Sequence, residues 1–246
     1  MKRGAWGSQT TITSSSACCP CTTLVSRHSC EDPFFLSFMN KEPANPSSTV
    51  GVADLVRQIK QELRAMMNGV ASAAMRQAGM TADYRVNFGV ELPRLTALLD
   101  DVRTTMLPSL LVPDEGTNEA TLAQQLWHES VRECRILATM LYPPTVFLPE
   151  VADIWVRQIS SVEIAQIAAM NLFSKMPMAS DKAFQWIAAE DDMTQIVGYY
   201  TLLNLLRQFQ LSERSSQELR DQASVALLSD NLQLRMAAQK ALSRLE

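Results

Sequence analysis

Glycine is scarce in this 246-residue sequence, at 8 residues, and no segment carries the two-residue alternation of a half-buried strand. Heavy use of Ala, Leu, Met, Gln, Glu and Arg points the same way, so the composition predicts an all-α chain. No run of eighteen apolar residues occurs, which excludes a membrane-spanning helix. Met1-Lys2-Arg3 has the charge of a signal peptide, but Gly4 to Ser16 is rich in Ser and Thr and supplies no apolar segment behind it. Ser16-Ala17-Cys18 also lacks the leucine-rich lead-in of a lipoprotein signal, and a soluble, cytoplasmic protein is expected. Cysteine is nearly missing from the body of the chain: Cys18, Cys19, Cys21 and Cys30 lie early and Cys134 stands alone, so the folded part needs no disulfide. No nucleophile–base arrangement, phosphate-binding loop or cofactor motif is present, and no cofactor is expected.

Residues 1–48 show no helical or strand period and are expected to form a disordered extension, with Asn40 to Ser48 as linker. Met39-Asn40-Lys41 reads as an alternative start, which leaves residues 1–38 either as an extension of the gene model or as a genuine tail. Cys18, Cys21, His28 and Cys30 have the chemistry of zinc ligands, but the spacing is irregular and nothing around them suggests a fold, so no metal site is expected.

From Val50 onward amphipathic segments follow one another with short gaps. Helices are predicted at 51–68, 70–78, 91–106, 119–128, 130–142, 148–158, 161–175, 180–189, 192–209, 214–228 and 231–245. The last is the clearest: Leu234, Ala237, Ala238, Ala241, Leu242 and Leu245 share one face, and Ser229-Asp230-Asn231 caps its start. The pairs Leu137-Ala138, Ala168-Ala169, Tyr199-Tyr200 and Ala237-Ala238 recur 31, 31 and 38 residues apart, each followed four residues later by Leu141, Leu172, Leu203 or Ala241. A helix pair of this size cannot bury its own apolar stripe, so pairs must stack on their neighbours. The predicted fold is a curved α-solenoid, or superhelix, of helix pairs over residues 49–246; a compact helical bundle is the rival architecture.

Three stretches carry a family resemblance over most of residues 55–246: Tyr84-Arg85-Val86-Asn87-Phe88-Gly89-Val90-Glu91-Leu92-Pro93-Arg94-Leu95, then Leu126 to Ala138 with its Trp127 and its Glu- and Arg-bearing helix, then Trp186-Ile187-Ala188-Ala189-Glu190-Asp191. Together they resemble the DNA alkylation repair family, whose better-known members are HEAT-like solenoids that excise N-alkylated purines from duplex DNA. The resemblance implies a tryptophan, an aspartate and an arginine on the concave face. The carboxylate would stabilise the cationic sugar formed as the glycosidic bond breaks, and the aromatic face would contact the alkylated nucleotide. In gapless register, Ile159-Ser160-Ser161-Val162-Glu163 stands opposite the family's Trp-Asp-Ser-Val-Asp run. Glu163 then replaces the aspartate as the candidate catalytic residue, and Ile159 stands at the tryptophan position. The arginine position falls on Ile196, which leaves Trp155 or Gln195 to take partial roles. The alternative for Glu163 is a solvated first-turn carboxylate. For Trp127 and Trp155, the other aromatic candidates, it is packing at helix ends.

A DNA surface needs clustered cations. Outside the first 38 residues there are 19 Lys and Arg against 24 Asp and Glu, so any such cluster must come from placement on one face. Arg132, Arg135, Lys175, Arg207, Arg235, Lys240 and Arg244 all fall on the second helices of the predicted pairs, which line the inner curve of HEAT-like stacks. Either they converge on a basic groove for the phosphate backbone of duplex DNA, or they are dispersed and paired with neighbours such as Glu129, Glu133 and Glu163. Three functions stay open: a DNA-binding relative with reduced, altered or absent glycosylase activity; a non-catalytic protein-interaction scaffold; and an active glycosylase, which requires an aromatic residue facing Glu163.

Overall fold

The computed structural model describes residues 51–78, 84–109 and 115–245. The chain divides into two units, Met1–Asn45 and Pro46–Glu246, and the described residues belong to the second. The expected tail, the linker and the Cys18, Cys21, His28 and Cys30 cluster lie outside the described residues.

Eleven α-helices are formed among the described residues: α1 (Val52–Ala65), α2 (Gly69–Gln77), α3 (Leu92–Asp101), α4 (Glu115–His128), α5 (Arg132–Leu141), α6 (Pro149–Arg157), α7 (Val162–Asn171), α8 (Ala179–Ile187), α9 (Asp192–Leu205), α10 (Glu213–Ala226) and α11 (Leu232–Leu245). Each coincides with one of the segments marked by apolar periodicity. Their starts follow local chemistry. Side-chain oxygens of Asn68, Ser161, Asp191 and Ser212 accept from the backbone N–H groups of Ala71, Ile164, Thr194 and Ser215, and Asn231 accepts from Gln233 and Leu234. Pro93 and Pro149 occupy the first turns of α3 and α6, where a missing N–H costs nothing.

Three segments end four or five residues earlier than the periodicity predicts. The helix expected over 91–106 is α-helical only to Asp101, then passes through a π-helical turn, Val102–Met106, and a 3-10 turn, Leu107–Ser109, where the Pro108 ring cannot continue an α-helical ladder. α7 stops at Asn171 and Phe173–Lys175 is a separate 3-10 turn, after which Pro177 holds Met176 extended and keeps the helix from resuming there. α9 stops at Leu205, so Arg207 lies just past its end.

The helices pair as α4/α5, α8/α9 and α10/α11, while α5, α7, α9 and α11 pack each on the next and form one continuous layer. This is a solenoid of stacked pairs, as the repeat predicts, and not a closed bundle. Small residues let the layer close: Ala165, Ala168 and Ala169 of α7 and Ala237, Ala238 and Ala241 of α11 are buried. At Gly198 a Cβ would come within 2.8 Å of the Ile187 backbone nitrogen and side chain, so α8 and α9 touch at a point that only glycine permits. Between successive pairs runs an aromatic spine. Trp127 stacks on Trp155 with ring centroids 4.1 Å apart and planes 4° from parallel, Tyr142 and Phe147 meet Trp155 edge-on, and Phe173 bridges Phe147 to Trp186. None of the described helices is long and apolar enough to cross a membrane.

Candidate nucleic-acid interface

The start of α5 carries a buried charge network. Gly89, held at φ 70°, turns the chain so that the N–H groups of Phe88, Gly89 and Val90 converge. Glu133 accepts from all three, at 3.2, 2.9 and 3.3 Å, and is fully buried. Arg132, 3% exposed, donates one terminal nitrogen to Glu133 and to the Val90 carbonyl; its Nε and second terminal nitrogen both donate to Glu163 across the gap between α5 and α7. Burial opposes the guanidinium charge, but the hydrogen bonds and charge of Glu163, with those of Glu133, outweigh it and hold the Arg132 pKa above its ordinary value.

This network corrects two expectations. Arg132 does not face solvent and offers no donor to a phosphate. Glu163 is not a free carboxylate: both its oxygens accept from Arg132, and its side chain is 18% exposed. A carboxylate already facing one cation stabilises a second one far less.

The residues at the family's other site positions are equally committed. Ile159 and Ile196 are buried in the apolar core. Trp155 faces Trp127, Tyr142 and Phe147 and not Glu163, and Gln195 donates to the Ala189 carbonyl at 2.8 Å. Trp127 and Trp155 are thus packing anchors, 1% and 3% exposed, with the Trp127 indole donating to Gln158 at 2.7 Å. Neither can stack on a nucleotide. Arg135 is half-buried between the rings of Tyr84 and Trp127, 5.6 and 5.4 Å from their centroids, and donates to the Gln158 carbonyl at 3.1 Å. Its charge is spent on the fold.

The cations nearer the C-terminus behave differently. Lys175, Arg207, Lys240 and Arg244 are exposed and Arg235 is half-buried. None of the five forms an ion pair with a described carboxylate, although Arg235 donates to the Ser229 carbonyl. Arg207 and Lys240 share an open groove of about 300 Å³ with Gln166 and Met170 of α7 and Tyr200, Leu203 and Asn204 of α9. Beside it, Ser243 and Arg244 extend the same surface along α11. No carboxylate lines either part.

Groups inside the groove are tied to one another. The Gln166 amide donates to the Tyr200 hydroxyl at 2.8 Å, which leaves the phenolic O–H free to donate. Asn204 donates to the Tyr200 carbonyl at 2.8 Å and accepts from Arg207 at 3.3 Å, and the Lys240 ammonium lies 5.6 Å from the Tyr200 ring centroid. The result is a surface of hydrogen-bond donors with positive charge at its rim, suited to an anion. Sequence reasoning picked out Arg207, Lys240 and Arg244 but missed Gln166, Tyr200 and Asn204. Their signal was present in part: Gln166 and Met170 fall at i, i+4 on the exposed face of α7, and Asn204 and Arg207 follow the buried Tyr200 at i+4 and i+7.

Known proteins fit this architecture. The family model for the DNA alkylation repair enzyme matches residues 59–243. A solved structure described as belonging to "a new family of proteins related to the HEAT-like repeat DNA glycosylases with affinity for branched DNA structures" superposes with a TM-score of 0.64, covering 76% of this chain and 74% of its own, at 16% identity. That likeness supports the fold alone. No curated protein matches the chain. With the family model spanning the whole run of helices from α1 to α11, and the stacked-pair fold shared, the chain belongs to the DNA alkylation repair enzyme family.

Proposed function

We propose that this protein binds duplex DNA on the concave face of the solenoid, through phosphate contacts from Arg207, Lys240 and Arg244, with Lys175 and Arg235 as flanking contacts, and that it does not excise bases. The observation that carries the reading is the groove across α7, α9 and α11, where cations free of ion pairs meet a wall without a carboxylate. Neutralising about five phosphates would make log K fall with log salt at a slope of about −4.5, on the basis of roughly 0.9 released counterion per contact. The absence of excision rests on Glu163: a glycosylase needs its carboxylate aimed at the developing cation, and here Arg132 holds both oxygens.

Fluorescence anisotropy with a plain duplex and an abasic-site duplex, at several salt concentrations, tests the binding. Salt-dependent affinity with a slope of several units supports it; no salt-dependent affinity for either DNA removes DNA as the partner. Because the structurally similar protein is described as having affinity for branched DNA, a four-way junction belongs in the same titration. Release of alkylated purines from methylated DNA is expected to stay at background in the wild type and in Glu163→Gln alike. Release above background that Glu163→Gln abolishes would restore the catalytic reading.

A second reading, a protein-interaction scaffold, has its own support. Leu228, Leu232 and Met236 stand exposed at the α10/α11 end, Leu228 at 86%, and this apolar surface needs no nucleic acid to explain it. Salt-independent association with a protein, without DNA binding, would favour it.

A further inference from the structure

We infer that the groove between α7, α9 and α11 receives a single unpaired nucleotide, so that the preferred DNA is a duplex interrupted by at least one base outside the stack. The inference rests on the DNA-binding reading and sharpens it. A face that only tracks a duplex backbone needs cations and hydrogen-bond donors, because the backbone presents phosphates and sugars. This groove has more than that. Met170 is 45% exposed and, with Leu203, forms an apolar floor amid an otherwise polar surface. An apolar floor beside a cationic rim matches a ligand with a flat apolar part and an anionic part, which describes one nucleotide and not a paired duplex.

Size agrees. About 300 Å³ lies at the lower end of small-molecule sites and is enough for one base with its sugar. The polar groups can serve both halves of such a ligand. Arg207 and Lys240 stand at the rim for the phosphate, joined by the free O–H of Tyr200. Gln166 spends one amide hydrogen on Tyr200, and its carbonyl and second amide hydrogen remain to meet the edge of a base. An amide that can both donate and accept, above a floor of methionine and leucine, selects for the presence of a base and not for its identity.

The α7 stripe also explains why the groove tolerates an anion. Glu163, Gln166 and Met170 fall at i, i+3 and i+7, so Glu163 is the acidic residue nearest along this stripe, and Arg132 already pairs with it.

Equilibrium binding of the full chain to three DNAs of one sequence tests the inference: a plain duplex, the same duplex with one unpaired nucleotide, and the same bulge made abasic. The wild type is expected to bind the bulged duplex at least tenfold tighter than the plain one, with the abasic bulge close to plain duplex. Met170→Ser, at an exposed position that the core does not need, is expected to cut that preference below threefold while plain-duplex affinity moves less than twofold. Gln166→Ala should do the same in part. Equal affinity for all three DNAs, an abasic bulge bound as tightly as one with a base, or a preference that survives both substitutions would overturn the nucleotide site and leave duplex binding standing. Loss of salt-dependent binding to every DNA, the plain duplex included, would instead sink both readings.

Discussion

The two ends of the layer formed by α5, α7, α9 and α11 hold similar side chains with opposite fates. At the start of α5 and α7, Arg132 and Arg135 are folded into the protein, the first against Glu163 and Glu133, the second between Tyr84 and Trp127. Toward the ends of α9 and α11, Arg207, Lys240 and Arg244 meet no described carboxylate and border a groove. A count of basic residues treats these as equal. The contrast shows that a cation's availability depends on what its helix neighbours present to it: here an acid or an aromatic pair at one end, and amides, a phenol and solvent at the other.

The sharpest way to break the contrast is to remove Arg132. Arg132→Ala leaves Glu133 and Glu163 without their shared cation, one of them fully buried, and should cost about 3–5 kcal/mol of stability in denaturant unfolding, as expected for half of a buried ion pair. Lys240→Ala, by contrast, should stay within about 0.5 kcal/mol of wild type, the usual range for a surface change. Equal losses from the two would mean that Arg132 is no more structural than Lys240.

Raising the pH probes the buried side of the comparison without mutation. Burial, the largest cause, pushes the Cys134 thiol from an ordinary 9.0 up to about 12 and the Tyr199 phenol from 10.0 up to about 12. Both groups keep their protons in the folded chain at pH values where the unfolded chain has lost them. Stability is therefore intact below about pH 9 and falls as pH rises toward 12, by up to roughly 1.4 kcal/mol per pH unit for each group. Unfolding midpoints measured from pH 8 to 11 should show the decline, and Cys134→Ala should remove the part that begins near pH 9. A flat profile would contradict the burial of both groups.

Glu163→Gln tests the same network more gently. An amide can still accept one hydrogen bond from Arg132 but carries no charge, so a loss of about 1–3 kcal/mol is expected in thermal or denaturant unfolding. No loss would put Glu163 back among the available carboxylates.

The helices were legible because each apolar stripe is local: Leu234, Ala237, Ala238 and Ala241 identify the buried face of α11 from fourteen consecutive residues. The family was legible from ordered stretches such as Tyr84 to Leu95. The charge network was not, because its partners are far apart in sequence. Arg132 meets a carboxylate 31 residues away and Glu133 meets backbone N–H groups 43 to 45 residues away, and no periodicity encodes such pairings. Charged residues at a helix start also read as exposed by default, which is why Arg132 passed for a surface cation. Trp127 and Trp155 left both roles open until their mutual stacking decided for packing. The groove was half legible: Arg207 and Lys240 were visible as cations, but Tyr200 reads as core because its ring is buried and only its place beside Gln166 and Lys240 gives it a role.

The decisive comparison is the salt dependence of duplex DNA binding by the wild type and by the triple variant Arg207→Ala, Lys240→Ala, Arg244→Ala. Loss of three phosphate contacts should weaken binding more than tenfold at moderate salt and make the log–log slope shallower by about three units, with the fold unchanged by circular dichroism. Wild-type affinity and slope retained by the triple variant would show that DNA, if bound at all, is held somewhere other than this groove.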